Sequence, residues 1–130
     1  MINAATRRLV QARAGQACEY CGLHQRYSPL ASLQIEHIIP RKHGGDDLPE
    51  NLALAYIDCN LAKGSNIAGI DSQTGQTTEL FHPRRQRWDE HFEWRGVYFV
   101  GKTAVGRTTI DVLRMNSDEQ VQLRTAIRSG

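Results

Sequence analysis

The chain has 130 residues, enough for one modest hydrophobic core. Hydrophobic residues make up 40% and charged residues 23%, a globular balance that excludes an intrinsically disordered chain, and no apolar run is long enough to cross a bilayer. The net charge of +2 permits a nucleic-acid partner without demanding one.

The first residues, MINAATRRLVQARAG, are polar and carry arginines. They lack the apolar centre of a secretory signal, so a cytoplasmic location is expected. Residues 3–14 read as a short helix that Gly15 can end. Cys18-Glu19-Tyr20-Cys21-Gly22 then forms a tight knuckle, and residues 23–32, with Pro29 and two serines, read as loop. The aliphatic run LQIEHIIP, residues 33–40, predicts a strand ending at proline, and His43-Gly44-Gly45-Asp46-Asp47 a turn. NLALAY, residues 51–56, predicts a second strand, and residues 58–67 a helix.

Further on, residues 69–76 (GIDSQTGQ) read as loop and residues 79–81 as a short strand. One or two helical turns are expected within 86–92, and a hairpin over 92–101 around Arg95-Gly96. Residues 103–115 carry apolar side chains at helical spacing, and Ser117-Asp118-Glu119-Gln120 is a capping-box pattern opening a last helix. Trp88, Phe92 and Trp94 are expected to be buried. The order is α+β, expected as a single domain over 1–130: a core at 17–68 and an extension at 69–130 packed on it.

The chemistry-bearing residues are individually unexceptional. Basic clusters at Arg7-Arg8, Arg41-Lys42-His43 and Arg84-Arg85-Arg87 each read as solvated charge. Cys18, Cys21 and Cys59 are an odd number of cysteines without an export signal, which argues against a disulfide framework. Metal ligation, redox chemistry and buried thiols stay open. The redox reading wants a βαβ context that is missing; a knuckle aims two thiolates at one point, as a metal half-site does. Tyr56-Ile57-Asp58-Cys59 supplies one more cysteine, with Tyr56 where a fourth would complete the set. Glu36 and His37 are neighbours near a strand end. Neighbours on a strand face opposite sides, so sharing a site needs the strand to end or distort there. Alone, His37 reads as a structural histidine, although an imidazole suits deprotonation of water near neutral pH. Asn51 and Asn60 could each cap a turn or helix. Lys63, one turn beyond Asn60, could reach a phosphate at the same helix end.

Together, Cys18-x-x-Cys21, Glu36-His37-Ile38-Ile39-Pro40, Gly44-Gly45, Asn51-Leu52 and Cys59-Asn60-x-x-Lys63-Gly64 resemble the HNH endonuclease family. The resemblance spans roughly residues 17–64. From Asn66 onward, NIAGID, LFHPR and RWDEHF resemble the tail of a bacterial small stand-alone subgroup. The resemblance implies a ββα-metal (His-Me finger) core with a Cys knuckle, followed by a small mixed β-hairpin and helix tail. It implies phosphodiester hydrolysis in DNA: His37 as general base, Glu36 and Asn60 as ligands of a catalytic Mg²⁺ or Mn²⁺, Asn51 bracing the loop that carries the base, and Lys63 on phosphate. Oxygen ligands suit such hard cations, which stabilise charge developing on phosphate. In many members four cysteines hold a structural Zn²⁺. Here Cys18, Cys21 and Cys59 are an incomplete set: either His24, another histidine or water completes it, or the thiols are simply buried. The rival reading is a non-catalytic nucleic-acid-binding zinc-knuckle module, and a third is a degenerate HNH fold with a structural role. No membrane partner is expected.

Overall fold

Asn3 starts the first helix, its side-chain oxygen accepting a hydrogen bond from the Thr6 N–H at 2.8 Å. A computed structural model describes residues 2–130, and their contacts divide them into two units. One holds the chain up to Ile67 together with His82–Arg85; the other holds Ala68–Phe81 and Gln86–Gly130. Among the described residues, no helix is long and apolar enough to cross a membrane.

In the first unit, α1 (Ala4–Arg13) presents Val10, fully buried, to a cluster of Leu33, Leu52 and Leu54. Each such side chain contributes about 1.5–3 kcal/mol on burial. β1 (Gln34–His37) and β2 (Leu52–Ala55) pair antiparallel, with Glu36 opposite Ala53 and His37 opposite Leu52. Every residue of β2 is buried. Helix α2 (Ile57–Lys63) follows after Tyr56 and stops at Gly64, whose φ of +53° favours glycine.

Both strands are shorter than their apolar runs. Ile38 still donates to the Asn51 carbonyl, but the Asn51 side chain then takes both backbone groups of Ile39, and Pro40 leads into a 3-10 turn over Arg41–His43. Asn51 itself ends another 3-10 turn, Pro49–Asn51, so β2 begins at Leu52. The cysteine knuckle is clamped to β2 by Glu19. Its N–H donates to the Leu54 carbonyl at 2.9 Å, and its carboxylate accepts from the Leu54 N–H at 2.8 Å.

In the second unit, β3 (Ala68–Ile70) pairs antiparallel with β4 (Thr77–Glu79), where a loop over 69–76 and a strand over 79–81 were expected. The connecting turn has loop composition because its order comes from one side chain: Asp71 accepts hydrogen bonds from the Gln73 and Thr74 N–H groups and from the Thr74 hydroxyl. α3 (Trp88–His91) runs into the hairpin of β5 (Phe92–Arg95) and β6 (Tyr98–Gly101). α4 (Ala104–Val112) is capped by Thr103, and α5 (Asp118–Ser129) by Ser117, the cap that its sequence pattern predicts. Gly106 lets α4 approach α3, since a Cβ there would lie 1.9 Å from the His91 carbonyl oxygen.

Phe81, Phe92, Phe99, Ile110, Leu113 and Met115 are buried in this unit. Trp94, expected inside, is 42% exposed. It lies opposite Phe99 in the hairpin register, and its ring is covered only in part, by Phe99 and the guanidinium groups of Arg124 and Arg128.

Candidate active site

The end of β1 delivers two titratable side chains to one cleft. Glu36 and His37, with Ile35, Pro40, Arg41, Asn60 and Gly64, line an open cleft of about 400 Å³. The strand ends at His37, which meets the condition for neighbours on a strand to share a site. His37 remains partly exposed, whereas Glu36 is only 3% exposed.

Glu36 is held on both oxygens. The Tyr20 hydroxyl donates to Oε1, and the Lys63 ammonium donates to Oε2 at 3.1 Å. Lys63 also donates to the carbonyl oxygens of His37 and Ile38, at 3.3 and 3.0 Å. Burial raises the Glu36 carboxyl above its ordinary value, and Lys63 and Tyr20 pull it back toward the charged form. Burial and the neighbouring Glu36 push the Tyr20 phenol well up, so it stays a hydrogen-bond donor. The ammonium that sequence offered to phosphate is thus turned to Glu36 and two carbonyls, with Lys63 1% exposed. Tyr20 was not singled out from sequence. Its only signal was its place inside the cysteine knuckle.

Asn60, on α2, donates from Nδ2 to Gln34 Oε1 at 2.6 Å. That bond fixes the amide and leaves its carbonyl oxygen uncommitted beside the cleft. Asn51 does not line this cleft. It accepts from the Ile39 N–H at 2.9 Å and donates to the carbonyls of Ile39 and Asp46 at 2.9 and 2.8 Å, tying together the two ends of the loop after β1. Gly45 is required there, because a Cβ would lie 1.6 Å from the Ile39 carbonyl oxygen.

The same loop brings in a residue that sequence missed. Asp47 Oδ1 lies 2.7 Å from His37 Nε2. Arg41 grips both Asp47 oxygens, at 2.8 and 2.9 Å. Hydrogen bonds from His37 and Arg41 hold the Asp47 carboxyl well below the usual carboxylate range. Its only signal was its place in an acidic Gly-Gly turn. Of the arginines near residue 84, Arg84 pairs with Glu19 inside the first unit, while Arg85 and Arg87 are exposed.

Away from the cleft, the sulfur atoms of Cys18, Cys21 and Cys59 all lie within 4.8 Å of one another, and all three residues are buried. Among the described residues no histidine, aspartate or glutamate joins the group. His24 instead caps a 3-10 turn, accepting from the Arg26 N–H. Burial pushes the Cys18 thiol up, but hydrogen bonds from Cys21 and Cys59 and from the Cys21 and Tyr56 backbone outweigh it and hold Cys18 well below its ordinary value. The hydrogen bond to Cys18 holds the other two thiols well above theirs. Three soft donors converging on one point suit zinc and could bind it.

Compared with models of protein families, residues 18–66 match the one described as HNH endonuclease. No curated protein and no solved structure matches the chain.

Proposed function

We propose that the chain, whose residues 18–66 match the family model described as HNH endonuclease, is a divalent-cation-dependent endonuclease hydrolysing phosphodiester bonds in DNA. The observation that carries this reading is the meeting of Glu36, His37 and Asn60 around one cleft within the matched segment. In this reading β1, β2 and α2 are the ββα unit of a His-Me finger.

Glu36 and the Asn60 carbonyl oxygen would hold Mg²⁺ or Mn²⁺. The donor chemistry fits: both are hard oxygen donors, and each Glu36 oxygen keeps a lone pair beyond the hydrogen bond it already accepts. A bound cation of this kind supplies Lewis-acid stabilisation of charge developing on the phosphate and the leaving oxygen. His37, at the rim of the cleft, takes the proton from the attacking water. Asn51 braces the loop behind it. Lys63 balances the buried Glu36 charge and keeps the carboxylate oriented through β1. A phosphate contact by Lys63 would first require that pair to open. Cys18, Cys21 and Cys59 would hold a structural zinc that ties the knuckle to α2, with a fourth ligand from outside the cysteine set.

Purified protein is incubated with supercoiled plasmid and Mg²⁺ or Mn²⁺, with and without EDTA. Nicking that needs the metal, and falls by about 10²-fold or more in His37→Ala, is expected for loss of a general base. Full activity in His37→Ala would remove His37 from that role. Plasmid binding without metal-dependent nicking would favour the non-catalytic zinc-knuckle module.

A further inference from the structure

A general base needs more than reach. It needs its lone pair on the nitrogen that faces the proton to be removed. An imidazole in its neutral form carries one hydrogen on either nitrogen, and its partner decides which. His37 Nε2 lies 2.7 Å from Asp47 Oδ1. An ionised carboxylate accepts only, so that contact requires the hydrogen on Nε2 and leaves Nδ1 bare. Asp47 does not hang freely, since Arg41 binds both of its oxygens and anchors the carboxylate on the His37 side of the loop. Asn51, bonded to the Asp46 carbonyl, fixes the backbone next to it.

We propose that Asp47, anchored by Arg41, is a positioning residue that sets the tautomer and ring orientation of His37, presenting Nδ1 as the proton acceptor. The proposal rests on the reading of His37 as the base, and it names the residue that equips it for that role.

Arg41 makes the consequence of one substitution specific. Arg41 donates to Oδ1 through Nε and Nη2, at 3.3 and 2.8 Å, and to Oδ2 through Nη2 alone, at 2.9 Å, so in Asp47→Asn the amide oxygen keeps the Oδ1 place, facing His37. Nε2 then still donates, and the ring hydrogen stays there. Asp47→Ala removes the partner without reversing the preference. A merely structural role for Asp47 leaves the tautomer of His37 unchanged in both variants.

The test reads the ring directly. Long-range proton–nitrogen correlation spectra are recorded on protein labelled with ¹⁵N-histidine, at about pH 8, above the ordinary imidazole range. The His37 signals are assigned by their loss in His37→Gln. The unsubstituted protein is expected to hold the hydrogen on Nε2, Asp47→Ala to give a mixture, and Asp47→Asn to keep the hydrogen on Nε2. In plasmid nicking, kcat is expected to fall about 10-fold in Asp47→Ala and by less in Asp47→Asn, with KM within about threefold in both. A His37 ring with its hydrogen on Nδ1 in the unsubstituted protein overturns the proposal. So does an Asp47→Ala variant that holds the hydrogen on Nε2 as fully as the unsubstituted protein. If the unsubstituted protein does not nick DNA, the nuclease reading fails, while the ring spectra still decide whether Asp47 governs His37.

Discussion

Lys63 Nζ lies 3.1 Å from Glu36 Oε2, and the two side chains are 2% and 3% exposed. Such a pair adds little net stability over an apolar replacement, but removing one member strands the other charge, at a cost of about 3–5 kcal/mol. Lys63→Met is therefore expected to destabilise the protein by about that amount in urea unfolding followed by circular dichroism. Adding Glu36→Gln should restore much of the loss, because a neutral amide needs no counter-charge while Tyr20 can still donate to it. If the double variant is as unstable as Lys63→Met alone, the two residues are not coupled through charge.

The loop after β1 is held by Asn51 and made possible by Gly45. Asn51→Ala deletes three hydrogen bonds, two of them to Ile39, and an unsatisfied group there costs about 1–3 kcal/mol. Gly45→Ala forces a Cβ to within 1.6 Å of the Ile39 carbonyl oxygen, so the loop must move. Both variants are expected to speed amide exchange at Ile39 and to lower plasmid nicking, while β1 amides stay protected. Unchanged exchange at Ile39 in Asn51→Ala would show that the loop is held by something else.

The parts of this site legible in sequence were those carried by short local patterns. The aliphatic runs around Glu36-His37 and Asn51-Leu52 predicted the two strands, and Cys59-Asn60 the start of a helix. Tyr20, Gln34 and Asp47 were not legible, because each acts across the fold on a residue 16, 26 and 10 positions away, respectively. Nothing in the local pattern tells a tyrosine that donates to a buried carboxylate from one that fills a knuckle. The same limit explains Lys63, whose spacing suggested a helix-end phosphate contact, while its partner on β1 is set by how α2 lies on the hairpin. The β3–β4 hairpin was hidden for the opposite reason: its strands are three residues each, and its turn is polar enough to read as loop. Helix α4 was readable from the helical spacing of its apolar side chains and α5 from its capping box, both local patterns.

Tyr56 stands where the second cysteine pair would be complete, and its backbone N–H donates to Cys18. Its neighbourhood with Cys21 and Cys59 also shows in its phenol, raised by burial and by those thiols among others. Tyr56→Cys is therefore expected to bring a fourth thiolate to the group and to tighten zinc retention against a chelator by at least about 10-fold, the size of effect an altered ligand environment produces. Binding should release protons, because the thiols held in the protonated form by Cys18 must ionise to become ligands. Zinc content well below one per chain in both proteins, after purification without chelator, would remove the structural-zinc reading.

The second unit carries its own acid-sensitive contact. Arg107 grips buried Asp71 through two hydrogen bonds, Nε to Oδ1 at 2.9 Å and Nη2 to Oδ2 at 3.0 Å. Arg107 first, and Thr74 with the Gln73 N–H after it, hold the Asp71 carboxyl below its ordinary range against the opposing effect of burial. A carboxyl whose folded value is depressed binds its proton more readily when unfolded, so the stability it contributes is fully present above the ordinary aspartate value, about pH 4, and is lost as pH falls below it. Both tryptophans, Trp88 and Trp94, lie in this unit, so their fluorescence follows its unfolding. The melting temperature read by that signal should fall between about pH 5 and pH 3 in the unsubstituted protein. Asp71→Asn should melt lower at neutral pH, because one bidentate bond is lost and Arg107 keeps its charge, and should show a flatter acid profile. An Asp71→Asn variant with the same acid profile as the unsubstituted chain would assign the acid sensitivity to other carboxylates of this unit.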